Sequence, residues 1–235
     1  MGMIFASFFA AISQLGDRRF LKVLALGVTL TLALLIGAYA GLLWIIEAMV
    51  GPEAYIPLLG EVTWLNDLLS GASFIFMMVL SIFLMVPVAS AITSMFLDDV
   101  AQAVEDVHYP ELPPVPRASF GDGLRDTLNF LGILIGANIL AFILYAIFSP
   151  LALFIFWGLN GFLLGREYFT LAAMRRLGRA GAVQLRKKHW GTIWMAGILM
   201  AAPLSIPLIN LFVPILGAAT FTHLYHRLQQ QGASG

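Results

Sequence analysis

Residues 165–189 read GREYFTLAAMRRLGRAGAVQLRKKH, and how this stretch is placed decides the fold. It holds Arg166, Arg175, Arg176, Arg179, Arg186, Lys187 and Lys188, seven of the thirteen basic residues of the chain. On either side lies a long apolar run, Thr127–Leu164 before it and Trp190–Thr222 after it. Two full crossings of a bilayer need about 20 residues each plus a turn. The first run has 38 residues and the second 33, so one is marginal and the other too short, yet both exceed a single crossing. Each also carries helix breakers near its middle, Ser149-Pro150 in the first and Pro203, Pro207 and Pro214 in the second. Lys and Arg in short loops stay on the cytoplasmic side. A single crossing by Thr127–Leu164 would leave those seven residues outside, whereas a run that enters and returns keeps all thirteen on one face. Both runs therefore read as helical hairpins that dip into the bilayer from the cytoplasmic side, with single crossings as the alternative.

Working outward, the whole chain has the composition of a membrane protein. Of its 235 residues 60% are hydrophobic and 11% charged, with a mean hydropathy of +0.90, against about a quarter charged in soluble domains. Val23–Ile46 is an uncharged run of 24 residues, about 36 Å as a helix and enough for the roughly 30 Å hydrocarbon core. Leu68–Leu97 is a second uncharged run, interrupted by Pro87. Between them Glu47, Glu53, Glu61 and Asp67 make an acidic loop without a basic residue. Asp98–Asp126 is polar, and its Tyr109–Pro116 core reads as an extended linker. Ile4, Phe5, Phe8, Phe9 and Ile12 recur at helical spacing in a stretch too short to span. They fit a helix in the membrane interface, or an apolar helix packed on its own protein. No basic residue precedes that stretch, so it is expected to be retained and not cleaved as a signal peptide.

The expected architecture is an all-α integral membrane protein with two long transmembrane helices plus two re-entrant hairpins. Residues 1–19 form an interfacial helix, 20–97 the two spanning helices and 98–126 a cytoplasmic linker. Residues 127–164 are the first hairpin, 165–189 a basic cytoplasmic helix, 190–222 the second hairpin and 223–235 a C-terminal tail. Backbone groups at hairpin tips need protein or water around them, so an oligomer is expected.

Enzymatic chemistry finds no support. There is no cysteine, and no nucleophile elbow, phosphate loop, dinucleotide fingerprint or zinc-protease helix. No cofactor, metal or nucleic-acid partner is expected. His223 and His226 sit at i, i+3 without a nearby carboxylate in sequence, while His108 and His189 are isolated. The strongest local pattern is Leu15-Gly16-Asp17-Arg18-Arg19-Phe20-Leu21-Lys22, just before the first span. A glycine turn, the unpaired amides of a helix N-terminus and two guanidiniums suit a tetrahedral oxyanion. The competing reading is that Arg18, Arg19 and Lys22 only mark the cytoplasmic end and contact headgroups. A secondary anion site could form at Gly123, Leu124 and Arg125, although Ser119 and Asp122 also fit a helix cap. Asn138, Asn160 and Asn210, with Asn129, are polar residues in apolar runs that either line a path or bond helix to helix. Gly37/Gly41, Gly132/Gly136 and Gly161/Gly165 fit small-residue helix packing.

Leu15-Gly16-Asp17-Arg18-Arg19-Phe20, Asn160–Phe169 (NGFLLGREYF) and Pro207–Pro214 (PLINLFVP) together resemble the CysZ sulfate permease family, in the same order and over nearly the whole chain. The resemblance implies an oligomeric multi-pass protein of the bacterial inner membrane. It implies sulfate uptake for cysteine synthesis without ATP hydrolysis; membrane lipids are expected partners, and the choice between sulfate and sulfite or related oxyanions stays open. It also implies a sulfate site at a Gly-Leu-Arg-Arg turn opening the first membrane helix, which carries over to Gly16, Asp17, Arg18 and Arg19. Here Asp17 stands where that pattern has leucine. The alternative is a non-transporting scaffold or lipid-binding protein, in which the basic residues of 175–188 bind acidic headgroups.

Overall fold

The structure is a computed structural model describing residues 1–50, 54–56, 60–62, 71–79, 96–113, 115 and 120–233. Within these it describes the backbone but not the side chains of 46, 47, 49, 50, 54–56, 60–62, 120–131, 134, 205, 207, 208, 232 and 233. In chain order the elements are α1 (Gly2–Ser13), α2 (Arg18–Val50), β1 (Ala54–Ile56), β2 (Gly60–Val62) and α3 (71–79). There follow α4 (Leu97–His108), α5 (Phe120–Ile147), α6 (Ala152–Lys188), α7 (Trp190–Ala201), α8 (Pro207–Asn210) and α9 (Val213–Ala233). The fold is helical, as expected, with one small addition. The acidic loop contains a two-stranded antiparallel ribbon in which Tyr55 pairs with Glu61. A ribbon of three residues per strand satisfies backbone groups locally, which a plain loop of that length would leave to solvent.

Packing divides the chain into Met1–Leu24 with Ser94–Gly235, and Ala25–Thr93. The second unit is built on α2, whose 33 residues extend about 50 Å, well past the hydrocarbon thickness. Among the described residues, Arg18–Ile45 is the one helical stretch long and apolar enough to cross a membrane. Leu34, Ile36 and Trp44 along it are 56%, 68% and 69% exposed, an outward apolar surface suited to lipid or to other membrane helices. Thr31 is buried and returns its hydroxyl to the Gly27 carbonyl at 2.7 Å. Tyr39 meets Phe74 of α3 edge to face, with centroids 6.0 Å apart. Of the expected second span, Leu68–Leu97, only 71–79 and the end at 96–97 are described, and Pro87 lies outside the described residues.

The other unit is organised around α9. Val213, Ile215, Leu216, Ala218, Ala219, Phe221, Leu224 and Leu228 are all buried, and α1, α4, α6 and α7 pack against this helix. Residues 223–235, expected as a tail, are instead mostly the second half of α9, because its apolar face continues past Thr222. The polar stretch 98–126, expected as a linker, likewise holds α4. Asp98 and Asp99 sit in its first turn, where carboxylates favour the helix N-terminus. Leu97, Val100, Ala101 and Val104, spaced i, i+3, i+4 and i+7, are buried.

Both apolar runs that flank residues 165–189 break where their prolines predicted. The first divides at a short 3-10 turn, Ser149–Leu151, between α5 and α6. The second divides at Ala202–Ser205 and again around α8. α6 itself is interrupted at Gly178, whose φ of 66° lies in the left-handed region, so glycine is required there. Glycines also set the α6–α7 contact. A Cβ added at Gly197 would lie 1.9 Å from the Gly161 carbonyl oxygen, and one at Gly165 would lie 2.7 Å from the Ile193 oxygen. The Trp194 indole N–H donates to the Gly158 carbonyl at 2.9 Å across the same contact. Gly197→Ala is therefore expected to force the helices apart at a cost of about 1–3 kcal/mol, a fall in melting temperature of about 2–4 °C per kcal/mol. Gly158→Ala, where an added Cβ meets nothing within 4 Å, should leave the melting temperature in detergent at or above that of the parent.

Candidate functional site

The turn from α1 into α2 is built by hydrogen bonds. The Asp17 amide donates to the Gln14 carbonyl at 2.9 Å, and the Asp17 Oδ1 accepts the Arg19 amide at 2.8 Å. Asp17 is thus the N-cap of α2. Its other oxygen accepts the Gln14 side-chain amide at 3.0 Å, and the same amide donates to the Ala103 carbonyl of α4 at 3.2 Å. Phe20 and Val23 are buried and anchor the first turn of α2. Gly16 is exposed, a Cβ there would meet nothing within 4 Å, and its φ is not positive. The turn therefore does not draw on glycine's special freedom; the Asp17 cap makes it.

Of the predicted anion-binding residues at this turn, Asp17 and Arg19 are already engaged within the protein. Arg18 and Lys22 are exposed. Arg19 donates from one terminal nitrogen to the Asp106 carboxylate of α4 in an ion pair whose side chains are 55% and 44% exposed. Asp106 also accepts the Gln102 amide at 2.8 Å. These two donors, Arg19 first, hold the Asp106 carboxyl below its ordinary range. The second candidate group is more ordinary. Gly123 falls in the first turn of α5 and Leu124 and Arg125 follow inside the helix, with side chains outside the described residues. The three asparagines lie on different elements. Asn138 is exposed on α5, Asn160 is half-buried and donates to the Phe156 carbonyl of its own helix at 2.9 Å, and Asn210 is half-buried at the end of α8.

Behind the turn lies a charged centre that sequence reasoning missed. Glu105, on the buried face of α4, has a carboxylate only 3% exposed. Arg176 grips it with two N–H bonds, Nε to Oε1 at 3.0 Å and a terminal nitrogen to Oε2 at 2.9 Å. Arg175 adds a contact at 3.3 Å, and the His226 Nε2 of α9 lies 3.0 Å from Oε1. An ionised carboxylate only accepts, so that nitrogen carries hydrogen. Arg175 also donates to the Asp98 carbonyl at 3.0 Å and to the Gln102 side-chain oxygen at 2.5 Å, and pairs with the Asp98 carboxylate. Arg176 reaches the Pro113 carbonyl at 2.8 Å. Burial pushes the Glu105 carboxyl up, but the bonds from His226 and Arg176 and the charges of Arg175 and Arg176 outweigh it and hold it down at about 2.

The histidines of α9 are spent on internal contacts. His223 is buried, with Nδ1 3.2 Å from the Tyr109 hydroxyl and its ring edge-on to His108 at 4.6 Å. Tyr109 lies over the His226 ring at a centroid distance of 4.2 Å. Burial, with the nearby His108, Arg227 and His226, drives the His223 imidazole down to about 3. Among the described residues no three His, Asp or Glu side chains are gathered as a metal site. The signal for Glu105 was available only in part. The i, i+4, i+7 apolar face of α4 can be read from sequence, but the partners lie 70, 71 and 121 residues away.

Two consequences can be measured. Removing the Glu105 charge by Glu105→Gln takes the ion-pair partner from the largely buried Arg176 guanidinium and, among the described residues, leaves Arg175 paired with Asp98 alone, and should cost about 3–5 kcal/mol, read as a lower melting temperature in detergent at pH 7. Both depressed groups also act in one direction with pH. The unfolded chain binds their protons at the ordinary values of 6.5 for histidine and 4.5 for glutamate. Stability is thus fully present above 6.5 and is lost as pH falls, first from 6.5 toward 3 through His223 and then from 4.5 toward 2 through Glu105. His223→Phe should flatten the decline in melting temperature between pH 6.5 and 5; an unchanged slope would remove His223 as its cause.

Comparison with protein families matches residues 7–214 to the sulfate transporter CysZ/etoposide-induced protein 2.4 family. No curated protein and no solved structure matches. The matched segment runs from α1 through α8 and includes the Asp17 turn, α4 with Glu105 and the α6–α7 contact. The chain belongs to the sulfate transporter CysZ/etoposide-induced protein 2.4 family.

Proposed function

We propose that this protein is a passive permease for sulfate in the bacterial inner membrane, supplying sulfate for cysteine synthesis without ATP hydrolysis. The observation that carries the reading is the turn at Gly16–Arg19. It presents Arg18 and Lys22 to solvent and Arg19 in an exposed ion pair, at the N-terminus of a membrane-length helix. Guanidiniums in a fork geometry match tetrahedral oxyanions, and a helix N-terminus adds a favourable field. In this reading Gly16, Asp17, Arg18 and Arg19 form the entrance. Asp17 serves as the cap that orients the two arginines and does not itself contact the anion. Gly123 and Arg125 are a second point of approach, and Asn138, Asn160 and Asn210 lie along the route.

The same reading takes the α5–α6 and α7–α9 pairs as hairpins that enter the bilayer without crossing. The breaks at Ser149–Leu151 and Ala202–Ser205 support it, as does the concentration of basic residues between the two runs. Hairpin tips need protein or water around them. The exposed apolar residues near the first tip, among them Phe148 and Leu151, support assembly of several copies in which neighbouring chains cover those tips.

The test is radiolabelled sulfate uptake into proteoliposomes beside empty vesicles. Uptake well above empty vesicles is expected, and Arg18→Ala/Arg19→Ala should lower it at least tenfold with the elution volume of the assembly unchanged. Uptake equal in the double variant would displace the site, and none above empty vesicles would favour the lipid-binding scaffold.

A further inference from the structure

Arg19 is occupied from within at both of its anion-binding groups, while Arg18 stays exposed. The α2 amide of Arg19 is capped by Asp17 at 2.8 Å, and the Arg19 guanidinium donates to Asp106. The first bond is local and comes with the helix. The second is not, because Asp106 belongs to α4 and lies 87 residues away. α4 is fixed in the core through Val100, Val104 and Glu105, so the carboxylate is delivered to Arg19 by a rigid element. We propose that Asp106 is a tethered stand-in for the transported anion, which occupies Arg19 when the site is empty and must be displaced for sulfate to bind. The inference deepens the proposed function and rests on it.

Three features make the exchange workable. The pair is exposed on both sides, 55% and 44%, so an anion reaches the guanidinium from solvent and the pair is weak enough to open. Bidentate capture of an oxyanion uses two N–H groups of the guanidinium fork, and Asp106 takes one of the two terminal nitrogens. Releasing it frees the fork that Arg19 would offer beside Arg18. Asp106 is not stranded when released, because Gln102 continues to donate to it at 2.8 Å. Gln102 also accepts from Arg175 at 2.5 Å, which holds its amide pointed at Asp106. A permeation pathway needs anion binding strong enough to draw the ion in and weak enough to let it go. A resident carboxylate that returns to Arg19 meets the second need.

The experiment is equilibrium binding of radiolabelled sulfate to the purified full chain in detergent, at fixed ionic strength, for the parent, Asp106→Asn, Arg19→Ala and the double variant. Melting temperature serves as the folding control. Asp106→Asn is expected to bind sulfate about two- to fivefold more tightly, the ratio set by the strength of an exposed ion pair. The gain should vanish in the Arg19→Ala background. In proteoliposomes, the same substitution should lower the half-saturating sulfate concentration without raising the maximal rate. Equal or weaker binding by a folded Asp106→Asn variant, with parent binding still dependent on Arg19, overturns the inference and leaves the transport site standing. An equal gain in the presence and absence of Arg19 assigns the effect to net charge and also overturns it. Absence of sulfate binding by both the parent and Asp106→Asn overturns the site itself, and the inference with it.

Discussion

One buried carboxylate holds the larger unit together. Glu105 gathers Arg175 and Arg176 from α6 and His226 from α9 onto α4. Removing the carboxylate and the two guanidiniums from water is costly, and the cost is offset only while their bonds are present. The arrangement is therefore sensitive to geometry in a way an apolar contact is not. It fixes where α4 lies along α6 and α9, and with α4 it fixes Ala103 and Asp106, the two points at which the α1–α2 turn is held. A site that looks local at Gly16–Arg19 thus takes its shape from a charge centre on another helix.

The electrostatic plan has two layers. Deep in the unit, charges are paired and largely dry. At the turn they are paired but wet, with Arg19 and Asp106 about half exposed. The same residue types thus serve opposite ends. Buried pairs resist exchange because opening them exposes uncompensated charge to a poor solvent, whereas wet pairs exchange readily because water and ions compete. Gln102 joins the layers, accepting from Arg175 and donating to Asp106.

Much of this was legible in the sequence, and the limits have physical causes. The uncharged run beginning at Val23 was read as a membrane helix because length and hydropathy are local properties, and α2 extends through it. Breaks at Ser149-Pro150 and Pro203 were read because proline acts on its own backbone. The Gly161/Gly165 spacing was a weak signal among several similar ones, and only the structure distinguishes it by bringing Gly197 onto it. α4 was passed over because its acidic residues disguised an amphipathic helix as a linker. Glu105 falls on the apolar face of α4, four residues after Ala101, but its partners are distant in sequence, so its role could not be read there. Asp17, which stands where the family pattern has leucine, is a helix cap in the structure.

The central place of α9 bears on how the chain reaches its folded state. α1, α4, α6 and α7 all precede α9, and all pack on it. The contact between α1 and α9 closes a loop of more than two hundred residues, as the bond from Arg227 to the Ala6 carbonyl illustrates. Contacts of that separation form late and slowly. During synthesis the earlier helices therefore lack their shared packing partner, and Glu105 lacks its bond to His226, until residues 213–233 emerge. Insertion of α2 into a membrane needs no such partner, whereas the packing of α1, α4, α6 and α7 is completed only once α9 is present.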